Sequence, residues 1–370
     1  MIDKRADVVV VGGGVIGLCV AWRTAQLGMS VIVVDQDPAP RGASWAAAGM
    51  LAPVGESNFG GESLLRFNLE GARCYPAFLA ELAEAAGVAV EYTHAGSLHV
   101  ALNRDETAAL RRLFEYHTEA GMEVEWLAGE ACRELEPMLH PGVQSGMLAD
   151  GESAVDPRQL LEALGFAFAK AGGASHSGVA VTAIRSGEVT LQTGETIHSG
   201  QVVLCAGAAT RSIQGVPQEV QEALRPVKGQ ILRLRNDGGA RLVRRIVVTE
   251  DVYLVPRSNA EIVVGATVEE RHNTLVTAGG VFELLRAAQE VLPGIREMEL
   301  TEASAASRPG TPDNAPLIGP TSIEGVIAAV GHYRNGILLA PITGELVAQL
   351  IAKDEVPSEL DPFSPLRFSP

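Results

Sequence analysis

Cysteine is scarce in this chain of 370 residues, and basic charge and long apolar runs are scarce too. The four cysteines, Cys19, Cys74, Cys132 and Cys205, lie far apart, form no C-x-x-C pair and have no histidine clustered beside them. That pattern argues against a disulfide framework or a metal site and fits a reducing cytoplasm. Lys and Arg number 29 against 45 Asp and Glu, a net charge of −16 that repels nucleic acid and anionic membranes as non-specific partners. The stretch that a signal peptide could claim, Val8–Trp22, follows Lys4 and Arg5 but carries three consecutive glycines. It falls short of the roughly 18–20 residues that span a bilayer, so it reads as strand, turn and helix, and no integral membrane segment is expected. Internal repeats, low-complexity tracts and long linkers are also missing.

Glycine is in excess: 40 of 370 residues, above the roughly 7% of ordinary domains, which hints at ligand binding through the backbone. Hydrophobic residues at 46% and charged residues at 20% are usual for a globular protein and exclude disorder. The length exceeds the roughly 250–300 residues at which one core stops growing, so two domains or one large discontinuous fold are expected.

The pattern predicts a buried strand over 7–11, a helix over 15–27 and a second strand over 31–35, a βαβ unit that implies a parallel sheet. Helical spacing recurs over 64–86, 106–120, 157–171, 281–292 and 336–351, and strand-like segments over 97–102, 230–234, 246–256 and 262–268. The expected fold class is α/β, a nucleotide-binding domain assembled from separated segments and interrupted by a mostly antiparallel substrate domain.

Gly12-Gly13-Gly14-Val15-Ile16-Gly17 fits G-x-G-x-x-G, after a strand of four valines and at the start of a helix. Gly12 permits the tight turn, Gly14 admits a pyrophosphate to the backbone, and Gly17 lets the helix pack closely on the strand. The helix N-terminus, with Val15 and Ile16, offers free N–H groups and positive dipole to the phosphates. Asp35 ends the next strand where an acid can hold a ribose hydroxyl, with Gln36 beside it. The run Arg41-Gly42-Ala43-Ser44-Trp45-Ala46-Ala47-Ala48-Gly49-Met50 lets backbone lie against a flat ligand, with Arg41 and Ser44 able to reach phosphate. A tightly packed, alanine-rich helix start is the alternative reading.

With these motifs, the chain resembles the FAD-dependent D-amino acid oxidase family, and within it the bacterial glycine oxidases of the thiamine pathway. The likeness continues at Val202–Gly207, Pro226–Gln230, Val252–Arg257 and Val264–Thr267, and is most specific at Ser307–Asp313 and Gly331–Pro341. It implies a Rossmann-like FAD-binding domain of the glutathione-reductase type, from 1–85, 150–225 and 301–370. An antiparallel-sheet α+β substrate domain, from 86–149 and 226–300, is inserted into it.

Carried over residue by residue, the resemblance assigns flavin contacts to Ala43, Ala48, Gly49, Met50, Gly207, His332, Tyr333, Arg334, Asn335, Gly336, Ile337 and Leu338. Val181 matches the position whose backbone holds the adenine side, with Val179 competing for it. A helix opening at Gly336 would stabilise negative charge on a reduced flavin. On the substrate side the likeness implies Arg308 and Arg334 as carboxylate forks, Tyr253 as a hydroxyl that reaches the substrate, and Met50 lining the pocket. The plain alternatives are structural arginines and a half-buried strand aromatic.

Asp251 and Val268 depart from the pattern, since glycine oxidases can carry a histidine and a methionine there. FAD is expected to be held non-covalently, because no cysteine lies near Ser307-Arg308-Pro309. The implied activity is oxidative deamination of glycine, sarcosine or D-amino acids with oxygen, giving a 2-oxo acid, ammonia and hydrogen peroxide, in thiamine biosynthesis. A dehydrogenase that passes electrons to a quinone or protein acceptor is the alternative, and a non-catalytic nucleotide sensor a third reading. A cytoplasmic homotetramer follows from the resemblance alone.

Overall fold

The structure is a computed structural model and describes residues 4–39, 41–55, 61–271 and 273–368. Its first large sheet is centred on Arg5–Val11, which runs parallel to Val31–Asp35 on one side and to Thr196–Leu204 on the other. Ala174–Ser177 adds in parallel beyond the first, and Val326–Val330 beyond the second. The sheet is thus assembled from three separated stretches of chain, with antiparallel strands at its margins. The unbroken valine run Val8–Val11 is apolar on both sides because both faces of this sheet are covered.

Four helices cover one face: Val15–Gln26, Glu62–Ala86, Pro157–Lys170 and Gly336–Lys353. The fingerprint helix, Val15–Gln26, is buried on nearly every side. The C-terminal helix, Gly336–Lys353, is long and apolar enough to cross a membrane, and most of it is buried inside the molecule. A Cβ at Gly344 would meet the Cys19 backbone at 2.9 Å, so these two helices touch almost backbone to backbone. Pro341 cannot offer an amide to the carbonyl of Ile337, and the buried Tyr75 hydroxyl donates to that oxygen instead at 2.5 Å.

The second large sheet has the strand order Glu299–Gly310, Arg225–Arg235, Glu261–Gly265, Tyr253–Pro256, Ile246–Val248, Ser97–Ala101, Ser145–Ala149, Glu125–Ala128. Every pairing is antiparallel except that of Ile246–Val248 with Ser97–Ala101. Helix Ala278–Val291 packs on its back face. The front face carries Ile231, Gly265, Tyr253 and Val248 in one row, set by register. It packs on Ala48 and Met50 from the small-residue run.

Helix and strand limits fall within a few residues of those the pattern predicts. The exceptions lie in the second sheet, where the strand expected over 230–234 runs over Arg225–Arg235. The segment 246–256 divides into two strands around a turn, because the Thr249 hydroxyl takes the amides of Asp251 and Val252 at 3.3 and 3.1 Å. The next strand ends at Gly265 rather than 268. The expected boundary at 301 falls inside the edge strand Glu299–Gly310, which stays with the second sheet because it pairs along the whole of Arg225–Arg235.

Candidate active site

The fingerprint loop is closed by its own neighbours. Gly12 has φ +111, and a Cβ there would lie 2.5 Å from the carbonyl oxygen of Cys205, so glycine is required on both counts. The Gly13 amide donates to Asp35 Oδ2 at 2.6 Å, and the Asp37 amide to Oδ1 at 2.8 Å. Each carboxylate oxygen keeps a lone pair for another donor such as a ribose hydroxyl. Gly14 precedes the fingerprint helix and gives no side-chain cap, while Ser44 Oγ accepts the Val15 amide at 3.1 Å. Ser44 thereby brings the small-residue run to the positive end of that helix.

One cavity of about 1930 Å³ joins these groups to the second sheet. It is larger than the roughly 300–1,000 Å³ of an ordinary ligand pocket, as a dinucleotide plus a substrate would require. Gly12, Gly14, Val15 and Ile16 line it, as do Asp35, Gln36, Arg41, Ala43, Ser44, Ala48, Gly49 and Met50. Val181, Gly207 and all of His332, Tyr333, Arg334, Asn335, Gly336, Ile337 and Leu338 line it as well. Gly17 alone of the expected cofactor residues does not. A Cβ there would fall 1.9 Å from the Gly12 carbonyl oxygen, so its bareness seats the helix on the loop. Val181 faces the cavity, whereas the Val179 amide is tied to the Asp35 carbonyl at 3.0 Å.

The loop before the C-terminal helix presents that helix's N-terminus to the cavity. Asn335 is the N-cap residue and its side chain does not cap. The His332 ring turns inward to Thr343 Oγ1 at 3.1 Å, and complete burial lowers its pKa to about 3, so it is neutral. The Tyr333 amide donates to the Pro309 carbonyl at 3.1 Å. That main-chain bond joins the loop bearing Arg334 to the strand end bearing Arg308.

On the front face of the second sheet, two glycines seat the two side chains that most need fixed positions. The Arg308 guanidinium lies over Gly229, where a Cβ would be 2.2 Å from Nη1, and Nη1 donates to the Thr267 carbonyl at 3.2 Å. The Tyr253 ring lies over Gly265, where a Cβ would be 2.4 Å from the hydroxyl. Arg308, Arg334, Tyr253 and Met50 all line the cavity, with Arg334 exposed toward solvent and its guanidinium 5.4 Å from the Tyr333 ring centre. Asp251 and Val268 line it too, both exposed.

Sequence reading did not single out Gly229 and Gly265 as seats, because each is defined by a side chain from another strand. It also passed over Arg257, a buried guanidinium whose Nη2 donates to the Ala48 carbonyl, with Asp156 3.9 Å from its Nε. Arg158 grips Glu302 with two hydrogen bonds of 3.0 and 2.7 Å and stacks 3.4 Å from the Trp45 ring centre. These two arginines tie the small-residue run to the second sheet. The only sequence sign of either was the Val252–Arg257 motif.

A parallel sheet with a glycine fingerprint, opening into a cavity shared with an antiparallel sheet that bears arginines, defines a dinucleotide-dependent oxidoreductase. Residues 7–350 match the family described as FAD dependent oxidoreductase, and the chain belongs to that family, with FAD as cofactor. It is 34% identical over 368 residues to the glycine oxidase of Geobacillus kaustophilus, a match covering 97% of this chain and 96% of that protein. It is 33% identical to the bifunctional protein ThiO/ThiG of Synechocystis sp., covering 99% of this chain and 54% of that longer protein. The crystal structure of the Geobacillus kaustophilus glycine oxidase superposes with a TM-score of 0.91 at 31% identity, covering 98% of this chain and 99% of that one. The residues present fit FAD: the Gly12 turn has no room for a side chain, Gly14 puts no side chain of its own over the start of the fingerprint helix, and Asp35 stands at the end of the adjacent strand.

Proposed function

We propose that this enzyme is an oxidase that deaminates glycine and other small amines or amino acids, sarcosine and D-amino acids among them. The overall reaction converts a primary amino acid, oxygen and water into a 2-oxo acid, ammonia and hydrogen peroxide, with methylamine leaving in place of ammonia when the substrate is sarcosine. The observation that carries this reading is that Arg308, Arg334, Tyr253 and Met50 open onto the same cavity as the dinucleotide cradle. A planar guanidinium takes both oxygens of a carboxylate, so Arg308 and Arg334 orient the substrate by its acid group. Tyr253 sets its hydroxyl against the amine side, and Met50 limits the room left for a side chain.

When bound, FAD supplies the two-electron acceptor. The protein's part is positioning and electrostatics, and no side chain need act as a general base for an amine bound neutral. We read the FAD as non-covalently held. The cysteine that lines the cavity among the described residues, Cys205, is buried, and burial pushes its thiol well above the usual range, where it is no nucleophile. We place the enzyme in thiamine biosynthesis, a reading supported by its likeness to the ThiO/ThiG proteins, and propose that it works as a cytoplasmic homotetramer.

The test is the visible spectrum of the purified holoenzyme during anaerobic addition of glycine, sarcosine and D-alanine, followed by oxygen and a peroxide assay. Bleaching by one of them and peroxide on reoxidation are expected. No bleaching by any would overturn the reading, and bleaching that oxygen fails to reverse would replace it with a dehydrogenase.

A further inference from the structure

We propose that the buried Lys228 and Gln230, with the partly exposed Glu269 between them, form a positioning group that fixes Arg308 for the substrate carboxylate through the carbonyl of Thr267. The inference rests on the amino-acid oxidase reading. Along the strand Arg225–Arg235, side chains alternate between faces. Gly229 faces the cavity and seats Arg308, whereas Lys228 and Gln230, both wholly buried, point to the back of the sheet. None of Lys228, Gln230 and Glu269 lines the cavity.

Lys228 Nζ lies 3.3 Å from Glu269 Oε2 and 3.5 Å from Asn273 Oδ1. Glu269 Oε1 accepts from Gln230 Nε2 at 2.6 Å and from the Thr267 hydroxyl at 2.8 Å. The main chains of Lys228 and Glu269 exchange hydrogen bonds of 2.9 and 3.0 Å, and Thr267 Oγ1 takes the Gln230 amide at 2.9 Å. Gln230 also holds Thr277, accepting its amide at 2.8 Å and donating to its hydroxyl at 3.0 Å. Thr277 in turn caps the helix Ala278–Val291. Thr267 and Thr277 are therefore both fastened to Gln230.

An ion pair whose lysine is wholly buried is a poor source of stability, since the cost of desolvating that ammonium offsets most of the attraction. What it does supply here is a single place for Glu269, hence for Thr267, whose carbonyl receives Arg308 Nη1 at 3.2 Å. Small displacements of an orienting group are costly to binding and turnover even when they originate outside the site. Lys228 is thus a positioning residue that acts through Thr267 and Arg308.

The test compares holoenzyme carrying Lys228→Met with wild type by calorimetric titration of acetate, a carboxylate without an amine, and by KM and limiting rate with the best amino-acid substrate. Lys228→Met is expected to weaken acetate binding and raise KM by roughly ten- to hundredfold while FAD content holds. The same change added to Arg308→Ala should have little further effect, a result that a general loss of packing would not give. Unchanged acetate binding in Lys228→Met, or an undiminished effect beside Arg308→Ala, would overturn the proposal. Should Lys228→Met fail to fold, Thr267→Val removes the hydroxyl's hydrogen bonds and keeps the carbonyl. It should weaken acetate binding by about threefold or more, and no change there counts against the idea just as firmly. Wild-type enzyme that no amino acid bleaches would sink the oxidase reading instead, whatever the variants do.

Discussion

The two walls of the cavity are built in different ways. On the dinucleotide side the groups that meet the ligand are largely backbone: a turn at Gly12 with φ +111, the start of the fingerprint helix behind Gly14, and the first turn of the C-terminal helix. On the substrate side they are side chains from separate strands, Arg308 on one and Tyr253 on another, each laid over a glycine of a neighbouring strand. Backbone recognition is local, so it tolerates little at a few positions and is indifferent to most others. Side-chain recognition depends on strand register, so it is spread over residues that never touch the ligand.

The largest expected effect breaks the first wall. Gly12→Ala places a Cβ 2.5 Å from the Cys205 carbonyl oxygen at a φ alanine avoids. We expect a loss of about 3 kcal/mol or more and protein that purifies without flavin, read from the ratio of visible to ultraviolet absorbance and from thermal melting. Next is Arg308→Ala, expected to lower kcat/KM by roughly a hundredfold or more with FAD content unchanged. Loss of the flavin in that variant would put Arg308 on the wrong wall.

A smaller change sharpens the division. Gly265→Ala pushes the Tyr253 ring out of its seat without touching the cradle, and we expect KM to rise by about tenfold with FAD retained. Equal losses of flavin in Gly265→Ala and Gly12→Ala would show that the walls are not separable.

The same contrast explains what could be read from sequence. The fingerprint, the second strand ending in Asp35 and the helix after Asn335 depend on short stretches of chain, and their letters carry the geometry. The seats do not. Gly229 matters because Arg308 lies over it, and that contact exists only once Glu299–Gly310 pairs along Arg225–Arg235. Likewise the polar pair Glu250 and Asp251 gave no clear sign of a turn inside an apolar run, since the turn is made by the Thr249 hydroxyl. Lys228 read as part of a motif, yet its burial follows from Glu269 reaching it from another strand's extension.

The smallest effect concerns protons on the two sides. His332, behind the cradle, has a pKa lowered to about 3 by burial, and His99 and His117, on the substrate side, have values lowered to about 4, again chiefly by burial. All three unfold to a value of about 6.5, so the unfolded chain binds more protons between the two limits. Stability is therefore complete above about pH 6.5 and falls as pH drops, by up to about 1.4 kcal/mol per pH unit for each histidine. Below pH 4 the two substrate-side histidines begin to charge in place, and His332 alone of the three continues to lose stability. His332→Asn should flatten the slope of unfolding free energy against pH by about 1.4 kcal/mol per unit between pH 4 and 6, measured by denaturant titration. An unchanged slope would mean that His332 is charged in the folded protein, and the cradle would then carry a positive group whose ring is turned to a neutral hydroxyl, that of Thr343.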